Sequence, residues 1–160
     1  MSVAGLVAGL IALSAPVAYA AETTLKDPSG DNAGPGLDLL SANIQNDDYT
    51  MTTSVDYRVH RSGTTIVGLK ARDRGVLRVV NQHDTGGPDR TLLLDKDGRI
   101  ACDGLLAVWN GNNARLTLSV PSTCLWQGNY GAVRPWVLTE ALNSGSDIDF
   151  LTTDGWIARG

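Results

Sequence analysis

Hydrophobic and polar residues alternate along much of the chain in short runs. In the clearest run, 49–59, every second residue falls on one face: Tyr49, Met51, Thr53, Val55, Tyr57 and Val59. A period of two is that of a β-strand with one buried face. Shorter runs of the same kind lie at 37–44, 64–71, 76–80, 91–94, 99–102, 105–109, 114–120 and 131–138. The pattern therefore predicts a protein built from many short strands.

The residues between these runs are those that form turns. Gly, Asp and Asn cluster at 46–48, 73–75, 95–98 and 110–113, and the chain holds 15 Asp against only 2 Glu. Asp and Asn favour turns, whereas Glu and Lys favour helix interiors. The prediction is an all-β, single-domain antiparallel β-sandwich of about eight strands, with a closed β-barrel as the alternative. Residues 21–36 are expected to form an extended lead-in, and 139–142 one helical turn.

The first 20 residues differ from the rest of the chain. They contain no Asp, Glu, Lys or Arg, and 15 of them are apolar. An apolar stretch followed by small residues at Ala18 and Ala20 is typical of a signal peptide. The prediction is a leader at 1–20 and a secreted domain at 21–160. No Lys or Arg precedes the apolar stretch, which leaves open whether Met1 is the true start.

Charge, apolar runs and cysteine content indicate which partners and which compartment the protein is expected to have. The net charge is −4, which argues against nucleic acid or an anionic membrane as the main partner. No apolar run long enough to span a bilayer follows Ala20. An exported chain meets oxidising conditions, so Cys102 and Cys124 are predicted to form a disulfide, with two buried free thiols as the alternative. The bond would close the loop between the two cysteines, and by reducing the chain entropy of the unfolded state it would stabilise the fold by about 3 kcal/mol.

Three aspartates in a Gly- and Pro-rich stretch are candidate metal ligands. Asp27, Asp31 and Asp38 lie among residues whose backbone carbonyls are free to coordinate. Calcium binds six to eight oxygens, commonly in flexible loops. The sequence therefore predicts a structural calcium site at these three residues, and ordinary turn capping is the alternative.

A second candidate site lies just after the second cysteine. Trp126 and Tyr130 flank the amide side chains of Gln127 and Asn129. Aromatic rings beside amides can stack on a sugar and bond its hydroxyl groups. These four residues are predicted to bind a glycan, the alternative being that the rings only pack within the protein.

Candidate catalytic groups are few. The chain has two histidines, His60 and His83, which are expected in surface or turn positions, and no Gly-x-Ser-x-Gly motif. One alternative is a small hydrolase that uses Asp147 or Asp149 with His83. Another is a secreted inhibitor or interaction protein acting through residues 81–90. The favoured prediction is a non-enzymatic module that binds an extracellular glycan, cell-wall polymer or protein.

The opening segment also carries a resemblance. Residues 27–39 begin Asp-Pro-Ser-Gly-Asp and end Gly-Leu-Asp-Leu. This segment resembles the start of secreted β-sandwich modules similar to carbohydrate-binding module family 9 and to the C-terminal domain of glucodextranase. The chain beyond it, including residues 68–71 (Gly-Leu-Lys-Ala) and 128–134 (Gly-Asn-Tyr-Gly-Ala-Val-Arg), is similar to small exported actinobacterial proteins whose role is not established. The resemblance implies a β-sandwich fold and calcium ligands at Asp27, Asp31 and Asp38.

Overall fold

The computed structural model describes residues 21–27, 31, 34 and 36–160. Within these residues the chain forms eleven strands and two short 3-10 turns. The strands are β1 Ala21–Lys26, β2 Leu39–Asn46, β3 Thr50–Tyr57, β4 Gly63–Ala71, β5 Val76–His83, β6 Arg90–Leu94, β7 Arg99–Ile100, β8 Leu106–Asn110, β9 Arg115–Pro121, β10 Val133–Glu140 and β11 Asp149–Thr152. The 3-10 turns are Ser122–Cys124 and Trp126–Gly128. The all-β prediction is confirmed.

The strands form two antiparallel sheets. The five-stranded sheet has the order β1-β2-β3-β9-β8, and the six-stranded sheet has the order β11-β10-β4-β5-β6-β7. The sheets do not close on each other. The β-sandwich is therefore confirmed, and the alternative of a closed barrel is wrong.

The core lies between the two sheets and follows the alternation seen in the sequence. In β3, the residues Met51, Thr53, Val55 and Tyr57 are all buried. Tyr49, expected on the same face, is 86% exposed because it lies in the turn before β3. The remaining core is mainly aliphatic, and each fully buried Leu or Val contributes about 1.5–3 kcal/mol. The hydroxyl groups of Tyr57 and Thr65 are 2.7 Å apart and link the sheets inside this core.

The predicted disulfide is present. Cys102 and Cys124 are bonded, with their Cα atoms 5.4 Å apart. The bond joins the segment after β7, in the six-stranded sheet, to the turn after β9, in the five-stranded sheet. It therefore ties the two sheets together at the end that carries Trp126.

Several local predictions require correction. The supposed lead-in contains β1, which pairs with β2 at the edge of the five-stranded sheet. Only Leu25 of β1 is buried, so its sequence lacks a strong strand pattern. His83 lies in β5, not in a loop, and Glu140 ends β10 instead of starting a helical turn. These segments are extended because neighbouring strands satisfy their backbone hydrogen bonds.

The predicted signal peptide at 1–20 lies outside the described residues. Among the residues that the structure does describe, no helix has the length and apolarity needed to cross a membrane.

Candidate functional site

Four aspartates meet at one end of the sandwich. Asp27 follows β1, Asp38 precedes β2, Asp149 begins β11, and Asp31 lies in the β1–β2 connection. Each offers a carboxylate oxygen within 4.8 Å of the others. The structure thus brings together the three aspartates predicted to bind calcium and adds Asp149 to them. We call these four residues the acidic cluster.

The backbone at the start of β2 holds the cluster in place. The Leu39 amide donates to Asp149 Oδ2 at 2.7 Å, and this hydrogen bond joins the two sheets. The Asp27 amide donates to the Leu40 carbonyl at 3.0 Å, which extends the β1–β2 ladder to the cluster. The four carboxylates therefore converge because the start of β2 lies between the end of β1 and the start of β11.

The charges of the cluster are poorly balanced. Asp38 pairs with the Arg58 guanidinium. Burial, followed by the nearby charges of Asp149 and Asp31, raises the pKa of Asp27 to about 6. Burial also raises the pKa of Asp149, although the Leu39 and Phe150 amides oppose that shift. Both shifts follow from carboxylates held together away from water, an arrangement that a bound cation would favour.

Two oxygens of the cluster are available to a cation. Asp27 Oδ2 and Asp38 Oδ1 are buried and accept no hydrogen bond from the part of the chain that the structure describes. Buried polar atoms of native proteins are normally hydrogen-bonded or bound to an ion. An all-oxygen set with a large negative charge fits calcium, which takes carboxylate oxygens and completes its shell with carbonyls and water. The residues present therefore fit the predicted calcium.

The tryptophan loop has an unusual backbone. Trp126 and Gln127 have φ values of 48° and 58°, in the left-handed region, and Gly128 continues it at 76°. For residues other than glycine this conformation costs roughly 1–2 kcal/mol each. The disulfide at Cys124 precedes these residues, and Trp126 Nε1 donates to the Gly75 carbonyl at 3.2 Å. The fold therefore holds this loop in a conformation that its own sequence disfavours.

A groove of about 460 Å³ opens beside this loop. Trp126 and Gln127 line it together with charged side chains from two neighbouring turns, Arg74, Asp95 and Lys96. The groove combines one aromatic ring with several hydrogen-bonding groups. Such a lining can hold a ligand that has apolar faces and hydroxyl edges.

The other two predicted ligand residues are placed differently. The Tyr130 ring is half-buried, 5.6 Å from the Trp126 ring and tilted by 51°. The Arg159 guanidinium lies 4.7 Å from the centre of the Tyr130 ring. Asn129 is exposed but is not among the residues that line the groove. Tyr130 therefore supports Trp126, whereas Trp126 and Gln127 face the groove.

The structure does not bring together the groups of the alternative hydrolase. Asp149 begins β11 and His83 ends β5, with β10 and β4 between these strands. Three steps across a sheet correspond to about 14 Å. The carboxylate of Asp147 instead accepts a hydrogen bond from the Gly36 amide. Neither aspartate can exchange a proton with His83 in this arrangement.

His83 instead belongs to a cluster that the sequence did not reveal. Its Nδ1 lies 2.7 Å from Asp89 Oδ1, and its Nε2 lies 2.7 Å from the Nε2 of His60. The Trp109 ring stacks on His83 with 4.2 Å between the ring centres. We call His60, His83, Asp89 and Trp109 the histidine cluster. Every second residue of β5 faces the core, and His83 shares that inward face with Leu77 and Val79. This alternation is the sequence feature from which the inward position of His83 could have been predicted.

Residues 81–90, the loop of the alternative inhibitor, divide into two parts. Residues 81–83 belong to β5, and 84–90 are exposed. The Asp84 side chain accepts from the Gly86 amide at 3.0 Å, and the hydroxyls of Ser62 and Thr85 are 3.0 Å apart. The loop is therefore short and internally hydrogen-bonded.

The outer face of the six-stranded sheet carries an apolar row that sequence reasoning also missed. Strand register aligns five side chains across it: Phe150, Leu138, Ile66, Val80 and Leu92. Phe150 is 50% exposed. Trp136 lies beside this row and packs on Gly68, where an added Cβ would be 1.8 Å from the indole ring. The alternation of β10, with Val133 and Val137 inward, was the signal that places Trp136 outward.

Comparison of the chain with protein-family models, with curated proteins and with solved structures finds no match in any of the three.

Proposed function

We propose that the protein is a secreted, non-enzymatic β-sandwich module that binds a glycan or cell-wall polymer in the groove beside Trp126. Calcium held by the acidic cluster stabilises the module. The observation that carries the proposal is the groove itself, which combines an aromatic ring, an amide and charged side chains. The disulfide is compatible with secretion.

The composition of the groove favours a saccharide over a wholly apolar ligand. Gln127, Arg74 and Asp95 supply both donors and acceptors, as hydroxyl groups require. Trp126 offers a ring face, and its own N–H is already bonded to Gly75. The strained backbone at Trp126 and Gln127 is typical of ligand-binding segments held by the surrounding structure.

Calcium has a structural role in this proposal. Asp27 and Asp38 belong to the edge of the five-stranded sheet, and Asp149 belongs to the six-stranded sheet. An ion bound by all three would join the sheets at the end opposite the disulfide. It would also offset the burial and the carboxylate repulsion that together raise the pKa of Asp27.

The outer apolar row is a second candidate surface for the same function. It is suited to a flat, insoluble polymer because its members align in register across five strands. The aromatic ring of Trp136 lies beside it on Gly68. The groove and the row predict different mutational effects, so one experiment separates them.

The experiment is retention on a panel of insoluble polysaccharides and isolated cell walls. Trp126→Ala and Trp136→Ala are compared with the unchanged protein. Val108→Ala serves as a matched control, because Val108 is 51% exposed and lies on β8, outside both surfaces. Thermal unfolding verifies that each variant is folded.

We expect retention of the unchanged protein, a loss of at least about tenfold in affinity for Trp126→Ala, and no change for Val108→Ala. If only Trp136→Ala loses retention, the polymer binds to the outer apolar row and not to the groove. If the unchanged protein is not retained on any polymer, the glycan proposal is wrong.

A further inference from the structure

The histidine cluster contains two imidazole nitrogens directed at each other. His83, at the end of β5, is buried to 7% exposure, whereas His60, after β3, is exposed. Their Nε2 atoms are 2.7 Å apart. The pair therefore has a fixed inner member and an outer member that solvent can reach.

The partners of His83 determine which of its nitrogens carries a lone pair. A carboxylate only accepts hydrogen bonds, so Asp89 requires a proton on His83 Nδ1. In the neutral ring the Nε2 of His83 is then an acceptor that points at His60. The proton between the two rings belongs to His60 Nε2. When the proton of His60 moves from Nε2 to the Nδ1 of the same ring, both neutral rings present an Nε2 lone pair to a metal ion that binds nitrogen.

The surroundings hold the His83 ring in position. Trp109 stacks on it, and Trp109 Nε1 donates to Asn81 Oδ1 at 2.9 Å. A histidine whose second nitrogen donates to a carboxylate is the usual arrangement at protein metal sites. Gly111 lies against the His60 ring, since an added Cβ would be 3.3 Å from its Nδ1. The His83 ring is thus held in place, and the exposed His60 ring can turn its Nε2 toward an ion that it shares with His83.

The separation of the nitrogens indicates which metal fits. With metal–nitrogen bonds of about 2.0 Å, ligands at a right angle are about 2.8 Å apart, and tetrahedral ligands are about 3.3 Å apart. A hydrogen bond sets the 2.7 Å between the nitrogens, and they need to move apart only slightly to reach the right-angled arrangement around a shared ion. Square-planar coordination is typical of Cu²⁺, which also binds nitrogen sites most strongly among the divalent first-row ions.

We propose that His60 and His83 form a binding site for Cu²⁺, with Asp89 as a positioning residue and exposed positions left to water or to a small ligand. The site does not depend on the groove or on the acidic cluster. The chain has only these two histidines, and both cysteines are in the disulfide. Any imidazole-bound copper in the protein must therefore be at this pair.

The test is a Cu²⁺ titration of the protein, purified without a polyhistidine tag, followed by fluorescence and by electron paramagnetic resonance. Trp109 is the reporter, because its ring lies 4.2 Å from His83 and 5.6 Å from His60. We expect quenching of Trp109 as Cu²⁺ binds, and a resonance spectrum with coupling to two imidazole nitrogens.

Variants test whether the histidine cluster holds the bound Cu²⁺. His60→Ala, at an exposed position, is expected to lower Cu²⁺ affinity at least tenfold, and Asp89→Asn is expected to lower it about 10- to 100-fold. Trp109→Phe should keep the two-nitrogen spectrum and lose most of the quenching. Asp97→Asn is the matched control, since it makes the same substitution in an exposed turn outside both clusters and should leave copper binding unchanged.

Two results would overturn the proposal. One is the absence of a two-nitrogen spectrum in the unchanged protein. The other is a folded His60→Ala variant that binds Cu²⁺ with unchanged affinity. If Zn²⁺ binds as tightly as Cu²⁺, the assignment of the metal from the nitrogen separation is wrong. Failure here leaves the polysaccharide retention experiment unaffected, so the two proposals can be judged separately.

Discussion

The acidic and histidine clusters lie at the same end of the sandwich but differ in how their polar atoms are satisfied. The strand register places both clusters at this end. Thr139 of β10 pairs with Asp149 on one side and with Thr65 of β4 on the other. Gly63, two residues before Thr65, pairs with His83. The acidic cluster gathers four carboxylates, among which buried oxygens lack donors in the described chain. In the histidine cluster, both ring nitrogens of His83 have partners.

The two clusters represent two ways in which a protein accommodates polar groups in its interior. A closed network such as that of His83 stabilises the fold without any ion. An unbalanced group of carboxylates lowers stability until a cation arrives. The same end of the molecule thus holds one site expected to need its metal for stability and one expected to be structurally complete without it.

The largest expected effect is that of breaking the closed network. His83→Ala should lower the free energy of unfolding by about 3 kcal/mol, because it removes a buried ring and leaves its partners unsatisfied. The loss should be the same with and without calcium. Chemical denaturation measures it, and His60→Ala, at an exposed position, should lose less than about 1 kcal/mol. Equal losses in both variants would contradict the inner and outer roles of the pair.

The acidic cluster should respond to calcium instead. At a calcium concentration 100 times the Kd, binding to the native state alone adds about 2.7 kcal/mol of stability. For a chain of this length that is a rise of roughly 5–10 °C in Tm, which EDTA should reverse. Asp38→Asn should abolish most of the rise. Asp97→Asn, in an exposed turn, should keep it. An unchanged Tm in all conditions would mean that the cluster binds no calcium.

The pH dependence of stability should distinguish the calcium-free cluster from the calcium-bound one. The pKa of Asp27 is raised in the folded protein from 3.8 to about 6. The folded state therefore binds more protons than the unfolded state between these values. This contribution to stability is fully present below about pH 3.8 and is lost as the pH rises through about 6.

The expected loss is about 1 kcal/mol, because solvent screens a carboxylate that is only partly buried. Tm measured from pH 4 to pH 7 without calcium should show it. Asp27→Asn should make Tm less dependent on pH, and saturating calcium should remove the pH dependence of Tm. A dependence that survives Asp27→Asn would have to come from other groups.

An effect of similar, small size is expected for the hydrogen bond between Asp89 and His83. Asp89→Asn should cost about 0.5–1.5 kcal/mol, since the amide oxygen can still accept from Nδ1 but carries no charge. The loss should be smaller than that of His83→Ala and independent of calcium. Denaturant unfolding measures it. A loss equal to that of His83→Ala would show that Asp89 alone maintains the cluster.

Much of the fold could be predicted because its determinants are local. Alternation in β3 is present in the sequence itself, and so are the turn residues at 95–98, where Asp95 accepts from the Gly98 amide. The disulfide followed from having only two cysteines. β1 was missed because an edge strand with one buried residue has a weak pattern.

The sites were only partly predictable because they depend on strand order. Asp27, Asp31 and Asp38 are close in sequence, so their grouping was predictable, whereas Asp149 joins them only through the position of β11 beside the start of β2. Asp149 was considered as a partner of His83, which lies three strands away. Trp136 was assigned no role because the apolar row beside it forms only when five strands pair in register.

The pattern of residues along the chain predicts the fold class, the inward face of most strands and the pairing of the two cysteines. Each of these follows from periodicity or residue type, which act over a few residues. The folded protein adds Asp149 to the acidic cluster, brings His60 to His83 and places Trp126 beside a groove. These meetings depend on strand order and register, which emerge only when the two sheets share one core.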